Sequence, residues 1–208
     1  MITPSLLKHF EAIGNIVKEI GEPIEGNFIC DQYSDPLLFQ LEKNKEKIEN
    51  IQNFSIGKKK ICEIGFNACH SLLIMLEMSP NAEYHLFDIN WHKYTEPCLE
   101  YVKKQYPKTK FYTYYGDSKV TLLNYVISNN LYTFDFCHID GGHELREVCS
   151  DFTFVRYLMK PGCPVMFDDY NLGWIRNFIQ ERINRNEIKL LPIVATELHT
   201  VYQYLSIC

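Results

Sequence analysis

A chain of 208 residues, 46% hydrophobic and 23% charged, can bury one full core and has the composition of a globular domain, not of a disordered or fibrous chain. Its net charge of −5 leaves no basic footprint for nucleic acid, and no apolar run approaches the ~18 residues of a membrane span. Eight scattered cysteines without a CxxC pair, and an N-terminus without the basic start and apolar centre of a signal peptide, lead to the expectation of a reduced, cytoplasmic protein.

In chain order, helical spacing predicts helices over 5–19 and 36–54, flanking the Gly/Pro/Asp-marked stretch "GEPIEGNFICDQYSD". The second is charged (Glu42, Lys43, Lys45, Glu46, Lys47) and carries Leu37, Leu38, Leu41, Ile48 and Ile51 at helical spacing. This helical extension, residues 1–55, either packs on the rest of the chain or closes over a substrate. Its helices could also pair two copies in a homo-oligomer.

From residue 56 to 208 short apolar runs alternate with longer amphipathic ones. Strands are expected over 60–64, 83–88, 110–115, 134–140 and 163–168, with helices over 68–78, 94–105, 118–128, 144–158 and 172–184 between and after them. That alternation is the mark of βαβ units, a parallel sheet with helices on both faces. Two last strands, 190–196 and 200–206, are too close for a parallel crossover and should pair antiparallel. The expected fold is therefore α/β, a doubly wound, Rossmann-like sheet of seven strands with an antiparallel C-terminal hairpin.

Ligands of such sheets bind at the C-terminal strand ends. The first strand ends "CEIGFNACHS": Gly65 permits a sharp turn, Glu63 could accept from an ammonium group, and Ser71 could bond a carboxylate. A plain strand-to-helix turn is the alternative. The second ends on Asp88, suited to the two hydroxyls of a ribose. Dinucleotide binding would also want glycines at positions 67 and 70, which hold Asn67 and His70. At the third, Asp117 and Ser118 could read an adenine edge or merely cap the next helix. Trp91 and His92 could shape the same pocket or pack on the surface.

The stretches "CEIGFNACHS", "FDIN", "YGDS", "FCHIDGGHE" and "LMKPGCPVMFDDY", in this order over residues 58–170, resemble the class I S-adenosylmethionine-dependent methyltransferases. The likeness is greatest to the metal-dependent, macrocin-type sugar O-methyltransferases. It implies S-adenosylmethionine as cofactor, with Glu63, Gly65 and Ser71 at its methionine part, Asp88 at its ribose, and Asp117 with Ser118 at its adenine. One position departs from the pattern: Cys69 stands where that family has a second glycine, so its side chain is expected to crowd the cofactor.

Asp140 and Asp168 lie 28 residues apart, one helical crossover, so both should leave the same sheet edge, with Asp169 alongside. Three converging carboxylates repel unless protonated or given a cation, and Mg²⁺ or another hard divalent ion accepts such oxygens. The resemblance implies the same three metal ligands. Neighbouring hydroxyls of a sugar-like or catechol-like small molecule would chelate the ion, while His143, or else Asp140, takes the proton. The plainer alternatives are that Asp168 and Asp169 open the next helix, that His143 orders the Gly141–Gly142 turn, and that His138 is a core histidine. The rival functions are a metal-independent methyltransferase acting on another small molecule and an inactive binding protein of the same fold.

Overall fold

The computed structural model describes residues 2–26, 28–30, 35–129, 131–192 and 198–205. Along the chain run α1 (Pro4–Ile20), α2 (Lys45–Ser55), β1 (Lys60–Ile64), α3 (His70–Met78), β2 (Glu83–Asp88), α4 (Thr95–Gln105), β3 (Lys110–Tyr115), α5 (Ser118–Ser128), β4 (Phe136–Ile139), α6 (Leu145–Leu158), β5 (Pro164–Phe167), α7 (Gly173–Asn184), β6 (Ile188–Leu190) and β7 (Thr200–Tyr204). The seven strands are ordered β3-β2-β1-β4-β5-β7-β6. β1 to β5 pair parallel and β7 pairs antiparallel with β6, as expected, and β7 also pairs antiparallel with β5. The order reverses between β1 and β4, which places a crevice above their C-terminal ends. Among the described residues no helix is long and apolar enough to cross a membrane.

Period-two alternation sorts the strand side chains onto two faces. Ile61, Tyr84, Leu86, Phe136, Met166 and Val201 join one core cluster, with α1 to α4. Cys62, Ile64, Phe87, Cys137, Ile139, Val165, Phe167 and Tyr202 join the other, with α5 to α7. The same parity carries Glu63 and His138, and beyond the strand ends Asp140 and Asp168, to the face covered by α1–α4.

α1 starts where Thr3 accepts a hydrogen bond from the Leu6 amide (3.1 Å) ahead of Pro4, and stops at Gly21, φ +74°. Its Leu6, Phe10, Ile13 and Val17, at helical spacing, are buried in the sheet's own core. Each such side chain contributes about 1.5–3 kcal/mol on burial. The apolar faces of both N-terminal helices are thus used within the chain.

The expected helix over 36–54 forms only from Lys45. Asp35 accepts from the Leu37 amide (3.0 Å), a local turn that competes with helix. Pro36 and Leu37 press against Gly14 of α1, where a Cβ would meet the Leu37 side chain at 2.6 Å. Asn44 then ties the segment down by donating to the Gln40 carbonyl (3.0 Å) and the Phe28 carbonyl (2.6 Å). The strand expected over 190–196 begins earlier, at Ile188, and Pro192 ends its supply of donors. Residues 193–196 and 206 of the expected hairpin, and 27 and 31–34 of the N-terminal loop, lie outside the described residues.

Candidate active site

At the β1–β4 crevice the strand ends enclose a cavity of about 560 Å³, within the ~300–1,000 Å³ usual for small-molecule sites. Gly65 forms its floor with φ +82°, so close to β4 that a Cβ would lie 2.6 Å from the Asp140 carbonyl carbon. Only glycine fits there, and the "GF" and "IDGG" turns are locked together. The Asp140 amide donates to the Ile64 carbonyl (2.9 Å) and the Gly65 amide to the Phe87 carbonyl (2.7 Å).

Ser71, Asp88, Asp117, Ser118, Asp140 and His143 also line this cavity, together with Trp91 and His92. Asp88 is held in place by the Asn67 amide (2.9 Å) and the Asn90 amide (2.7 Å), one on each carboxylate oxygen. Each oxygen keeps a second lone pair, so the carboxylate can still accept from a diol. Asp117 caps α5 through the Lys119 amide (2.9 Å) and also lines the cavity. His92 stacks on Tyr94 and bonds Glu22 (2.8 Å), whereas Trp91 is 82% exposed at the rim.

Two expectations are placed differently. Glu63 is fully buried, does not line the cavity, and sits opposite His138 in the β1–β4 register, 3.1 Å from its Nδ1. Parity places it beneath the crevice, with its Oε2 buried and without a hydrogen-bond partner. Cys69 takes φ +68°, the glycine-like conformation its position demands, yet its side chain is fully buried in the α1–α4 core and is absent from the cavity wall. Its side chain therefore does not enter the cavity.

The three aspartates do converge: one carboxylate oxygen from each of Asp140, Asp168 and Asp169 lies within 4.8 Å of the others. The β4–β5 register, His138 beside Met166 and Ile139 beside Phe167, delivers Asp140 and Asp168 side by side. Asp169 turns back at φ +54° and hydrogen-bonds His143 Nδ1. Of the three, only Asp140 lines the cavity.

A residue that the motifs did not single out completes the cluster. Lys47 of α2, its side chain only 3% exposed, hydrogen-bonds Asp168 and lies 3.7 Å from Asp140 Oδ2, with the Phe28 ring centroid 4.0 Å from its Nζ. Burial pushes its ammonium down, but Asp140, Asp168 and Asp169 more than reverse this, leaving it above the ordinary lysine value. Burial and the neighbouring Asp168 charge raise Asp140 well above the carboxylate range. Burial acts upward on Asp168 too, yet Lys47 and hydrogen bonds from its neighbours hold it below that range. Lys47 thus balances the charge of Asp168 most directly. Burial, then the charge of Lys47, pushes nearby His199 down to about 4, so that ring faces the cluster neutral. His143 is raised by its bond to Asp169.

The donor set suits a divalent ion in kind and spacing, and Asp168 Oδ1 is buried without a hydrogen-bond partner. The position shared by Asp168 and Asp140 is nevertheless taken by an ammonium. A divalent ion about 4 Å from it would be repelled by roughly 8 kcal/mol at an effective dielectric near 20. Ion and ammonium would therefore compete for the same carboxylate oxygens.

A protein family described as a methyltransferase domain matches residues 62–170, just over half of the chain. No curated protein matches it. Among solved structures it is similar to the O-methyltransferase TomG from Streptomyces achromogenes, involved in tomaymycin synthesis and solved with SAM (14% identity, TM-score 0.62, covering 95% of this chain and 90% of that one). It is similar as well to the SAH-bound methyltransferase PaMTH1 of Podospora anserina (14%, 0.62, 98% and 88%). An O-methyltransferase family protein from Burkholderia thailandensis is a more distant likeness (9%, 0.57), of whose length this chain spans 57%. At such identities the likeness is one of fold.

Proposed function

The chain belongs to this methyltransferase-domain family, and on that premise we propose that it is an S-adenosylmethionine-dependent O-methyltransferase acting on a small polyhydroxylated molecule, sugar-like or catechol-like. One observation carries the reading: a single cavity runs from Asp88, held ready for a diol, to Asp140 and His143. Gly65 and Ser71 lie at the methionine end of such a cofactor and Asp117 with Ser118 at its adenine end, while Glu63 serves from below by holding His138.

S-adenosylmethionine, when bound, supplies a methyl group already activated on sulfur, so transfer to oxygen leaves S-adenosylhomocysteine and one proton to be placed. His143 is the base. Asp169 fixes its Nδ1, which leaves Nε2 to take the hydroxyl proton, the way an aspartate orients a catalytic histidine. Asp140, lining the cavity 12% exposed, is placed to hydrogen-bond the substrate hydroxyl. The enclosed cavity supplies alignment.

Two readings of the acidic cluster remain. In the first, Asp140, Asp168 and Asp169 hold Mg²⁺, as the sequence leads one to expect. In the second, methyl transfer needs no metal, and the placement of Lys47 favours this one. Calorimetry with S-adenosylhomocysteine, then transfer of labelled methyl to a panel of catechols and sugars with and without a chelator, tests the whole. Binding followed by transfer to oxygen is expected. No binding would refute the reading, and binding without transfer to any acceptor would leave a binding protein of this fold.

A further inference from the structure

Lys47 lies well outside the segment 62–170 that matches the methyltransferase family, yet its ammonium is among the most enclosed charges of the described chain. It enters from α2, is covered by the Phe28 ring, and touches the two aspartates delivered by neighbouring strands β4 and β5. α2 is anchored beside it, where Asn50 and His199 meet at 2.8 Å. The third aspartate has its own partner in His143. The groups acting on the ammonium are thus Asp140, Asp168 and Asp169, with the Phe28 ring over it and the His199 ring nearby.

We propose that Lys47 is the resident counter-cation of the acidic cluster, placed by the N-terminal segment in the position a divalent ion would take, so that the site works without metal. The role is one of positioning: Lys47 does not line the cavity, but it holds the place of Asp140, which does. Removing a buried partner strands the opposite charge, and an open cluster of three carboxylates is a divalent-cation site. Lysine and metal should therefore compete for the same oxygens. The catalytic consequence rests on the methyl-transfer reading, whereas the competition does not.

The test compares the full-length wild type, Lys47→Ala, Lys47→Arg and Lys47→Ala/Asp168→Asn by calorimetric titration with Mn²⁺ and by thermal unfolding with and without it. The wild type is expected to ignore Mn²⁺ and to keep its activity in chelator. Lys47→Ala should lose roughly 6–20 °C in unfolding midpoint, acquire Mn²⁺ binding, and regain much of the midpoint on adding the ion. Lys47→Arg should keep the charge and stay metal-indifferent. Should Lys47→Ala fail to fold, the double variant, with both charges gone, is expected to recover; a double variant no better than the single would overturn the proposal. Stoichiometric Mn²⁺ binding by the wild type, abolished by Asp168→Asn, would overturn it as well. A wild type that excludes Mn²⁺ through Lys47 but ignores S-adenosylhomocysteine upholds the counter-cation and refutes methyl transfer alone.

Discussion

Gly65→Ala puts a methyl group where β1 crosses the end of β4. The new Cβ would stand 2.6 Å from the Asp140 carbonyl carbon and 2.8 Å from the Gly141 Cα, against the ~3.5–4.0 Å of ordinary carbon contact. Both are backbone atoms, so no rotamer can relieve the overlap, and one turn must retreat by about 1 Å. The left-handed φ of +82° adds about 1–2 kcal/mol for a residue with a Cβ. Overpacking adds about 1–3 kcal/mol. Loss of the Asp140 amide to Ile64 carbonyl bond adds about 0.5–1.5 kcal/mol more. The sum, about 2.5–6.5 kcal/mol, is a large part of a typical domain stability of ~5–15 kcal/mol. Urea unfolding should therefore show a sharply lowered midpoint. In whatever fraction stays folded, a 1 Å shift of Asp140 should cost on the order of 10²-fold in turnover. A variant within 1 kcal/mol of the wild type, with S-adenosylhomocysteine affinity unchanged, would refute the reasoning, because the two turns would then be free to move apart.

Asp151 of α6 is 1% exposed beneath the Gly141 turn, and burial pushes its carboxyl up to about 6 from 3.8. The folded state then holds a proton that the unfolded state has already released, so stability falls as pH rises from about 4 to about 6. The loss is roughly 3 kcal/mol at most. Asp151→Asn should recover it at pH 7.5 and gain nothing at pH 4, as urea midpoints at the two pH values would reveal. Asp88→Ala removes the acceptor held by the Asn67 and Asn90 amides and should weaken S-adenosylhomocysteine by about 1.5–3 kcal/mol in calorimetry. Equal affinity would place the ribose elsewhere. His143 is raised above 6.5 first by its bond to Asp169, so kcat/KM should climb with pH through an inflection above that value. Asp169→Asn should move the inflection down. The sign for stability is opposite: the His143–Asp169 pair stabilises the fold below about 6.5 and fades as pH rises through the folded value. A rate profile indifferent to Asp169 would remove His143 from the chemistry.

The parallel part of the sheet was legible because its signals are local. β1, β2, β3 and α5 stand on their expected residues, set by apolar runs and by Pro107 or Asp117 at their borders. The meeting of Asp140 and Asp168 followed from crossover length alone. What failed to show were relations between elements. Glu63 lies between the core residues Cys62 and Ile64, and nothing local reveals that the face it takes is the one closed by α1–α4. The helix over 36–54 had the spacing, but a turn at Asp35 and the pressure of Gly14 on Leu37 won over its first turns. Lys47 left one faint trace. It stands four residues before Ile51, so the two share a helix face, and a charge on that face must be buried or bent aside. Within "KNKEKIEN" it otherwise reads as one of several solvated lysines.

Cys69 and Lys47 together suggest how this chain departs from a pattern without losing the site. A residue in the left-handed conformation pays about 1–2 kcal/mol unless it is glycine, and Cys69 offsets this by burying its side chain among α1–α4. That buried space exists because α1 and α2 are folded onto the sheet. The second of them delivers Lys47 to the cluster, 121 positions before Asp168. Sheet parity forces the aspartates together, and aspartates so placed demand a cation. The demand was readable from the spacing of three residues. The identity of the cation depends on a helix whose packing no motif describes, so deleting residues 1–55 should disturb the acidic cluster as surely as mutating it. Mn²⁺ binding gained on Lys47→Ala would mark that dependence directly.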